Sequence, residues 1–156
     1  MALIQINGNL LNSDLQYIAH QCICTSKDAG GLAHSLFKKF PYANTYKTRT
    51  KNNEPGTIQV LGGGDKNRFI INMYAQYMPG PPAMYRESKD DYHKRRNYFF
   101  DCLMKIKKIP DVKAVGFPHN IGCGLAGGIW EDYLAMLTGL ARATPTMDVV
   151  IYKLLD

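Results

Sequence analysis

Two periodicities of apolar residues divide this chain into strands and helices. Short apolar runs bounded by turn residues predict strands, whereas apolar residues that recur at three- and four-residue spacing predict amphipathic helices. The predicted strands cover residues 2–7, 17–24, 57–61, 68–74, 114–117 and 148–154. The predicted helices cover residues 32–40, 88–109 and 130–140. Because strands and helices alternate through most of the chain, the pattern predicts one α/β domain, residues 1–156, with a mainly parallel sheet.

Local signals refine the ends of these elements. Ser88 and Asp91 have the spacing of a capping box, which predicts that a helix begins at Ser88, and Pro110 ends it. Residues 62–67 join two strands through glycine, aspartate and asparagine and predict a hairpin. The spacing predicts that the helix after Ser88 buries Tyr92, Phe99, Leu103 and Ile106.

The predicted strand at residues 17–24 is apolar on both of its faces. Its alternation places His20, Cys22 and Cys24 on one face and residues 19, 21 and 23 on the other. A strand of this kind is typical of the centre of a sheet that helices cover on both sides. A Cys-x-Cys pair on a strand lacks the spacing of structural zinc sites, so we expect no metal ion and no cofactor.

A glycine-rich turn between a strand and a helix occurs twice. One turn lies at residues 28–31, and the other lies at residues 122–128. Glycines let the backbone approach an anion closely, and the N-terminus of the following helix favours negative charge. The alternative is that these glycines only form tight turns. The second motif also matches G-x-G-x-x-G, but it lies near the end of the chain, where a Rossmann fold does not carry it.

The overall charge favours an acidic partner. The formal net charge is +6, with 46% hydrophobic and 21% charged residues. A phosphorylated ligand and a nucleic acid both fit this charge. The mixed-sign run at residues 86–96 is interpreted as a solvated helix face, and nucleic-acid contact there stays open. No window is apolar enough to span a membrane and no signal peptide is evident, so we expect reduced cysteines and a cytoplasmic location, with the nucleus as the alternative.

The two glycine turns and their flanking residues resemble the macrodomain family. The matching segments are residues 20–24, 30–33, 37–41 and 118–130, and residues 8–10 and 150–152 also fit. The resemblance therefore spans nearly the whole chain. It implies a three-layer α/β/α sandwich with a mixed, mainly parallel sheet. It also implies that the protein binds ADP-ribose and hydrolyses one of its derivatives.

The resemblance assigns a part of the ligand to each segment. Adenine would lie against the turn at Asn9 and Leu10 and beside Tyr152. Most of the family has an acidic residue where Asn9 stands, although the Asn9 side-chain oxygen can also accept from the adenine amino group. Cys24, Asp28 and Asn120 would lie towards the distal ribose. The two phosphates would lie between Gly30, Gly31 and Leu32 on one side and Gly122, Cys123, Gly124, Leu125, Ala126 and Gly127 on the other.

Departures from the family separate its branches. An Asn-Ala-Asn stretch used by one hydrolase branch is absent from residues 20–25. A second branch uses a lysine after the central strand and an aspartate in the second glycine loop. Residues 72–76 contain no lysine, and Ala126 takes the place of the aspartate.

The branch that matches best dephosphorylates ADP-ribose 1″-phosphate. His20 corresponds to the histidine proposed to act there. We therefore expect His20 to act as nucleophile or as general acid or base, with a pKa suited to neutral pH and with Asp28 assisting. The alternatives are a non-catalytic ADP-ribose reader, or a hydrolase that removes ADP-ribose from proteins or nucleic acids. The expected partners are ADP-ribose, its 1″-phosphate and ADP-ribosylated macromolecules, and the expected oligomeric state is a monomer.

Overall fold

The computed structural model describes residues 2–63, 68–84 and 88–155. Its strands are β1 (Leu3–Asn7), β2 (Tyr17–Ile23), β3 (Thr57–Leu61), β4 (Phe69–Gln76), β5 (Ala114–Pro118) and β6 (Asp148–Lys153). Its α-helices are α1 (Gly31–Lys39), α2 (Thr45–Thr48), α3 (Tyr92–Lys107) and α4 (Trp130–Ala143). The described strands and the longer helices coincide with the predicted ones to within a few residues.

The six strands form one mixed sheet in the order β1-β6-β5-β2-β4-β3. β3 pairs with β4 in antiparallel orientation, and every other neighbouring pair is parallel. β2 lies inside the sheet between β5 and β4, which explains why it is apolar on both faces. The predicted mixed, mainly parallel sheet is confirmed.

Helices cover both faces of this sheet and form two separate cores. On one face, α3 and α4 contribute Phe99, Leu103, Tyr133 and Leu137 to a buried cluster with β2, β4 and β5. On the other face, the α1 residues Leu36 and Phe37 and the α2 residue Tyr46 pack against the opposite side of β2 and β4. Removing these apolar side chains from water is the main contribution to stability. The predicted three-layer sandwich is confirmed.

The parallel strands bring several loops to one edge of the sheet. β1, β2, β4, β5 and β6 all run in the same direction, so their carboxyl ends meet at this edge. Both glycine-rich turns follow such carboxyl ends, because one follows β2 and the other follows β5. Ligands of open α/β sheets bind in the crevice at this edge.

The start of α3 differs from the prediction. α3 begins at Tyr92, and Asp91 caps it by accepting a hydrogen bond from the Lys94 N–H at 2.8 Å. Ser88 Oγ instead accepts from the Asp90 N–H at 3.1 Å, so the capping box predicted from Ser88 is wrong. Phe99, Leu103 and Ile106 are buried as predicted, whereas Tyr92 is only partly buried.

Four further predictions concern a hairpin, the charged run, the cysteines and membrane spans. The hairpin predicted at residues 62–67 falls mostly on residues 64–67, which lie outside the described residues. Residues 86 and 87 of the charged run at residues 86–96 also lie outside them. In the described part of this run, Asp90, Asp91 and Arg95 are buried, so the interpretation of the whole run as a solvated helix face is wrong. Cys22, Cys24, Cys102 and Cys123 are free thiols. Within the described residues, no helix combines the length and the hydrophobicity that a membrane crossing requires.

Candidate functional site

A cavity of about 470 Å³ opens at the carboxyl edge of the sheet. Three segments form most of its wall: the end of β2 with the start of α1, the end of β4 with the following loop, and the loop after β5. Tyr46 of α2 also lines it. Ten of the predicted site residues line this cavity: His20, Asp28, Gly30, Gly31, Leu32, Asn120, Gly122, Cys123, Leu125 and Ala126. Its size lies within the range of small-molecule sites in proteins.

The N-terminus of α1 forms one wall of the cavity. Gly30 is the N-cap residue, and no side chain accepts a hydrogen bond from the first amides of the helix at this position. The first turn also contains no acidic residue. The first backbone bond of the helix runs from the His34 N–H to the Gly30 carbonyl at 3.3 Å. The earlier amides of an α-helix have no acceptor within the helix, and they carry the positive end of its dipole. This wall is therefore suited to an anion, as the first glycine turn predicted.

The loop at residues 118–129 forms the opposite part of the wall. It leaves β5 at Pro118, turns at Asn120 and Gly122 with φ of +69° and +77°, and contains a 3₁₀ turn at Gly124–Ala126. Gly122 packs directly on α4, since a Cβ atom there would lie 2.3 Å from Tyr133 Cε2. Only glycine satisfies both the backbone angle and this close approach.

The second glycine loop does not direct a helix N-terminus into the cavity. α4 begins only at Trp130, and its first turn carries Glu131 and Asp132. None of the described α4 residues lines the cavity. The expectation that the dipole of this helix helps to hold a phosphate is wrong, because the 3₁₀ turn separates α4 from the site and two carboxylates occupy the helix start.

His20 lies at the inner end of the cavity and is almost entirely buried, with 1% of its surface exposed. Its Nε2 lies 2.6 Å from Asn72 Oδ1, and its ring contacts the Phe37 ring edge-on at 5.4 Å. Burial lowers the pKa of His20 to about 4, and the hydrogen bond to Asn72 opposes that shift. The imidazole is therefore neutral at pH 7, and the expectation of a pKa near neutrality is wrong.

The hydrogen bonds of Asn72 determine the tautomer of His20. Asn72 Nδ2 donates to the Ala43 carbonyl at 2.9 Å, so Asn72 Oδ1 faces the imidazole. Because this oxygen can only accept, His20 Nε2 carries the proton. The lone pair of the ring then lies on Nδ1. His20 can act through Nδ1 as a nucleophile or base, but it holds no extra proton to donate as an acid.

Two glutamines form a polar part of the wall that the sequence analysis missed. Gln76 Nε2 donates to the Met78 and Gly80 carbonyls at 3.0 and 3.2 Å. Gln76 Oε1 accepts from Gln21 Nε2 at 3.0 Å, which leaves Gln21 Oε1 buried and without a hydrogen-bond partner among the described atoms. Gln76 belongs to the stretch in which the resemblance looked for a lysine. Its position at the carboxyl end of a parallel strand was the signal available in the sequence.

Tyr46 and Arg49 hold the segment between β2 and α1. Tyr46 OH accepts from the Ile23 N–H at 2.6 Å, and Arg49 Nη1 donates to the Ile23 carbonyl at 3.0 Å. The Arg49 guanidinium also lies over the Tyr46 ring at 4.6 Å, and Tyr46 itself lines the cavity. Neither residue was predicted as part of the site, because a contact between distant segments leaves no local pattern in the sequence.

His119 is a second histidine of the cavity and was not predicted. Its backbone N–H donates to the Tyr152 carbonyl at 2.8 Å, and its ring packs against the Trp130 ring at a centroid distance of 4.6 Å. Burial and the nearby Lys153 charge lower the pKa of His119. Cys123, beside it in the loop, has a pKa raised to about 11 by burial and by the Asp132 charge, so its thiol stays protonated at neutral pH.

Six predicted ligand contacts lie outside the cavity wall: Asn9, Leu10, Cys24, Gly124, Gly127 and Tyr152. Cys24 is buried, and its thiol points to the Tyr74 carbonyl at 3.9 Å. Asn9 Oδ1 accepts from the Leu11 N–H at 3.0 Å. Their ligand roles stay predictions.

The predicted adenine region nevertheless adjoins the cavity. The Gly8 N–H donates to the Lys153 carbonyl at 2.9 Å, and Gly8 lies next to the Tyr152 ring. The hydrogen bond from His119 to Tyr152 links this turn to the cavity wall. Leu10 is buried beneath Gly116 and supports the turn from inside.

The described side chains show no metal centre. Nowhere in residues 2–63, 68–84 and 88–155 do three His, Cys, Asp or Glu side chains come together in a way that could hold a metal ion. In particular, Cys22 lies 3.5 Å from His20 Nε2, but Cys24 points to a backbone carbonyl.

Comparison with solved structures identifies the architecture. No family model and no curated protein matches the sequence. The macrodomain of Mycobacterium tuberculosis DarG superposes with a TM-score of 0.72 at 20% identity, over 96% of each chain. The macrodomain of Thermus aquaticus DarG gives 0.70 at 20% identity, over 96% of this chain and 97% of that one. A variant of the Oceanobacillus iheyensis macrodomain gives 0.65 at 13% identity, over 99% and 84%. The chain therefore has the macrodomain fold.

Proposed function

We propose that this protein binds ADP-ribose or a derivative of it in the cavity at the carboxyl edge of the sheet. The observation that carries this proposal is the open N-terminus of α1, which faces the cavity without an acidic residue in its first turn. This arrangement favours a phosphate. The macrodomain fold and the resemblance of the glycine turns support ADP-ribose as the phosphorylated ligand.

The distribution of groups favours one orientation of the ligand. The pyrophosphate would lie against the amides of Gly31 and Leu32, with the loop at residues 122–126 on its other side. The distal ribose would extend towards His20, Asp28 and Asn120. The adenine would lie at the adjoining turn, between Asn9 and Tyr152.

For the reaction, we propose hydrolysis of the phosphate monoester of ADP-ribose 1″-phosphate. His20 Nδ1 would attack the phosphorus atom, so that a P–N bond forms while the bond between phosphorus and the 1″ oxygen breaks. The departing oxygen would take a proton from a water molecule held by Asp28. The hydroxide left by that water molecule would then attack the phosphorus atom and break the P–N bond, which releases inorganic phosphate and returns neutral His20. The α1 amides would stabilise the charge on the transferred group.

Phosphate release tests the reaction. Purified protein with ADP-ribose 1″-phosphate should release phosphate above a blank, and His20→Gln should abolish turnover while ADP-ribose binding persists. Because the neutral imidazole is the active form and the pKa of His20 is about 4, turnover that depends on His20 should be constant from neutral pH down to about pH 5 and fall below it. His34→Gln, an exposed histidine of α1, is the matched control. Turnover that survives in His20→Gln would refute the role of His20.

A non-catalytic ADP-ribose reader is the second candidate. The observation that favours it is the enclosure of His20, whose Nε2 is bonded to Asn72 and whose ring packs on Phe37 with 1% of its surface exposed. Such a histidine also serves a purely structural role. Calorimetric binding of ADP-ribose together with no phosphate release would favour the reader, and absence of ADP-ribose binding would reject both candidates.

A further inference from the structure

Arg95 is a cation placed wholly inside the protein. It lies on α3, only 1% of its surface is exposed, and it does not line the cavity. A buried charge is expensive unless it is paired and its hydrogen bonds are satisfied. The partners of Arg95 therefore indicate what its burial achieves.

Asp90 supplies the countercharge. Its Oδ1 accepts from Arg95 Nε at 2.9 Å, and its Oδ2 lies 2.6 Å from Arg95 Nη2. The same carboxylate accepts from the Tyr77 and Met78 amides at 2.9 and 2.7 Å. The pair is neutral as a unit, so it contributes little long-range field to the cavity. Its influence on the site is therefore geometric.

The remaining N–H groups of Arg95 donate hydrogen bonds to backbone carbonyls of two loops. Nη1 donates to the Gly80 carbonyl at 2.7 Å and to the Ala126 carbonyl at 2.8 Å. Nη2 also donates to the Met78 and Pro81 carbonyls at 3.0 and 3.4 Å. Gly80 and Ala126 both line the cavity, although they belong to different loops. One nitrogen atom thus joins the loop after β4 to the loop after β5.

The direction of these bonds matters for an anionic ligand. A carbonyl oxygen that faced the cavity would repel a phosphate. Because Arg95 lies behind the wall, the carbonyls that it binds point away from the ligand space. The Gln76 amide also donates to two of the same carbonyls, those of Met78 and Gly80, so these oxygens already have protein donors.

We propose that Arg95 is a positioning residue for the ligand site. It fixes the separation of the two loops and turns their carbonyl dipoles out of the cavity, so that an anionic ligand meets no opposing backbone oxygen. This inference rests on the proposed function, because it concerns the affinity for ADP-ribose. Arginine suits the role because its planar group directs five donors, whereas lysine offers a single point of charge.

Arg95→Lys tests this role, because it keeps the charge on a side chain that is one bond shorter and has one nitrogen in place of the three that bind Asp90 and the two loops. Calorimetry should show ADP-ribose affinity lowered about tenfold or more, the size expected when a charge-assisted hydrogen bond is lost. Hydrogen exchange should become faster in residues 77–81 and 122–128 of the same variant. Ile106→Ala is the matched control, since Ile106 is fully buried eleven residues further along the same helix and does not line the cavity. It should lower the melting temperature without changing either readout.

The outcomes separate the two proposals. If the wild-type protein does not bind ADP-ribose, the proposed function falls. If the wild type binds and Arg95→Lys binds equally well, only the role of Arg95 is refuted. Equal loss of affinity in Ile106→Ala and Arg95→Lys at matched stability also refutes it, because the effect would then be one of general destabilisation.

The wild-type protein provides a second test that does not depend on a folded variant. Because one guanidinium nitrogen holds both loops, amides of residues 77–81 and 122–128 should open with the same free energy, as one cooperative unit. ADP-ribose should slow exchange in both segments together. Independent opening of the two loops would overturn the proposal.

Discussion

The two glycine turns look alike in the sequence and differ in the structure. Each follows a parallel strand and precedes a helix. After β2, the turn leads directly into α1, whose uncapped N-terminus faces the cavity. After β5, a 3₁₀ turn intervenes, and α4 starts away from the cavity with Glu131 and Asp132 in its first turn. The first turn presents the free amides of a helix N-terminus to the cavity, whereas the second forms a closely packed part of the cavity wall.

This difference shows that a glycine-rich turn before a helix does not by itself make a phosphate site. The N–H groups of the helix must be free and must face the ligand, and the first turn must lack carboxylates. At α4, Glu131 and Asp132 already complement the positive end of the dipole. In the loop after β5, the glycines serve close packing, most clearly where Gly122 lies on Tyr133.

The largest expected difference between the two turns is the loss of folding stability when a methyl group replaces a glycine hydrogen. Gly122→Ala should lower the free energy of unfolding by roughly 2–4 kcal/mol, since it combines a left-handed backbone with overlap against a buried ring. Gly30→Ala should leave that free energy nearly unchanged, because Gly30 has φ of −125° and no atom within 4 Å of the added Cβ. Urea denaturation of both variants measures the contrast. Equal stability of the two would show that the loop after β5 is not fixed by packing.

A smaller effect is expected from a charge placed at the start of each helix. Ala33→Asp introduces a carboxylate into the first turn of α1 beside the cavity and should weaken ADP-ribose binding about tenfold, since a like charge then faces the phosphates. Ala33→Asn controls for the change in size and should bind more tightly than Ala33→Asp. In α4, Glu131→Gln removes a carboxylate and should change the affinity less than twofold. Calorimetry at low and high salt measures each value, and the loss in Ala33→Asp should shrink as salt increases. A stronger effect at Glu131 than at Ala33 would reverse the assignment of the anion site.

The fold was predictable because it depends on local periodicity. The alternating apolar runs and the helical stripes, such as Tyr133, Leu137 and Leu140, repeat in the sequence with the spacing of the elements they form. The turn at Gly30 and Gly31 was predictable for the same reason, because glycine before an apolar stripe marks a helix start. The predicted helix start at Ser88 lies three residues before the observed cap, Asp91, because serine and aspartate are both typical helix caps.

The site was less predictable because long-range contacts determine it. The hydrogen bond from His20 to Asn72 spans 52 positions, and it fixes the tautomer that decides which nitrogen can react. The burial that lowers the pKa of His20 arises from α1 packing on the sheet. Arg95 was interpreted as part of a solvated face, because a charged residue is usually exposed. Its burial depends on the Asp90 carboxylate and on four backbone carbonyls, which the sequence pattern does not show.

Amide resonances during titration with ADP-ribose test the central claim most directly. With ¹⁵N-labelled protein, ligand addition should produce the largest shift changes at Gly31, Leu32 and Ala33, where the phosphates would meet the α1 amides. The amides of Glu131 and Asp132 should change little. The largest changes at the start of α4, or no changes at saturating ADP-ribose, would contradict the assignment of the α1 N-terminus as the phosphate site.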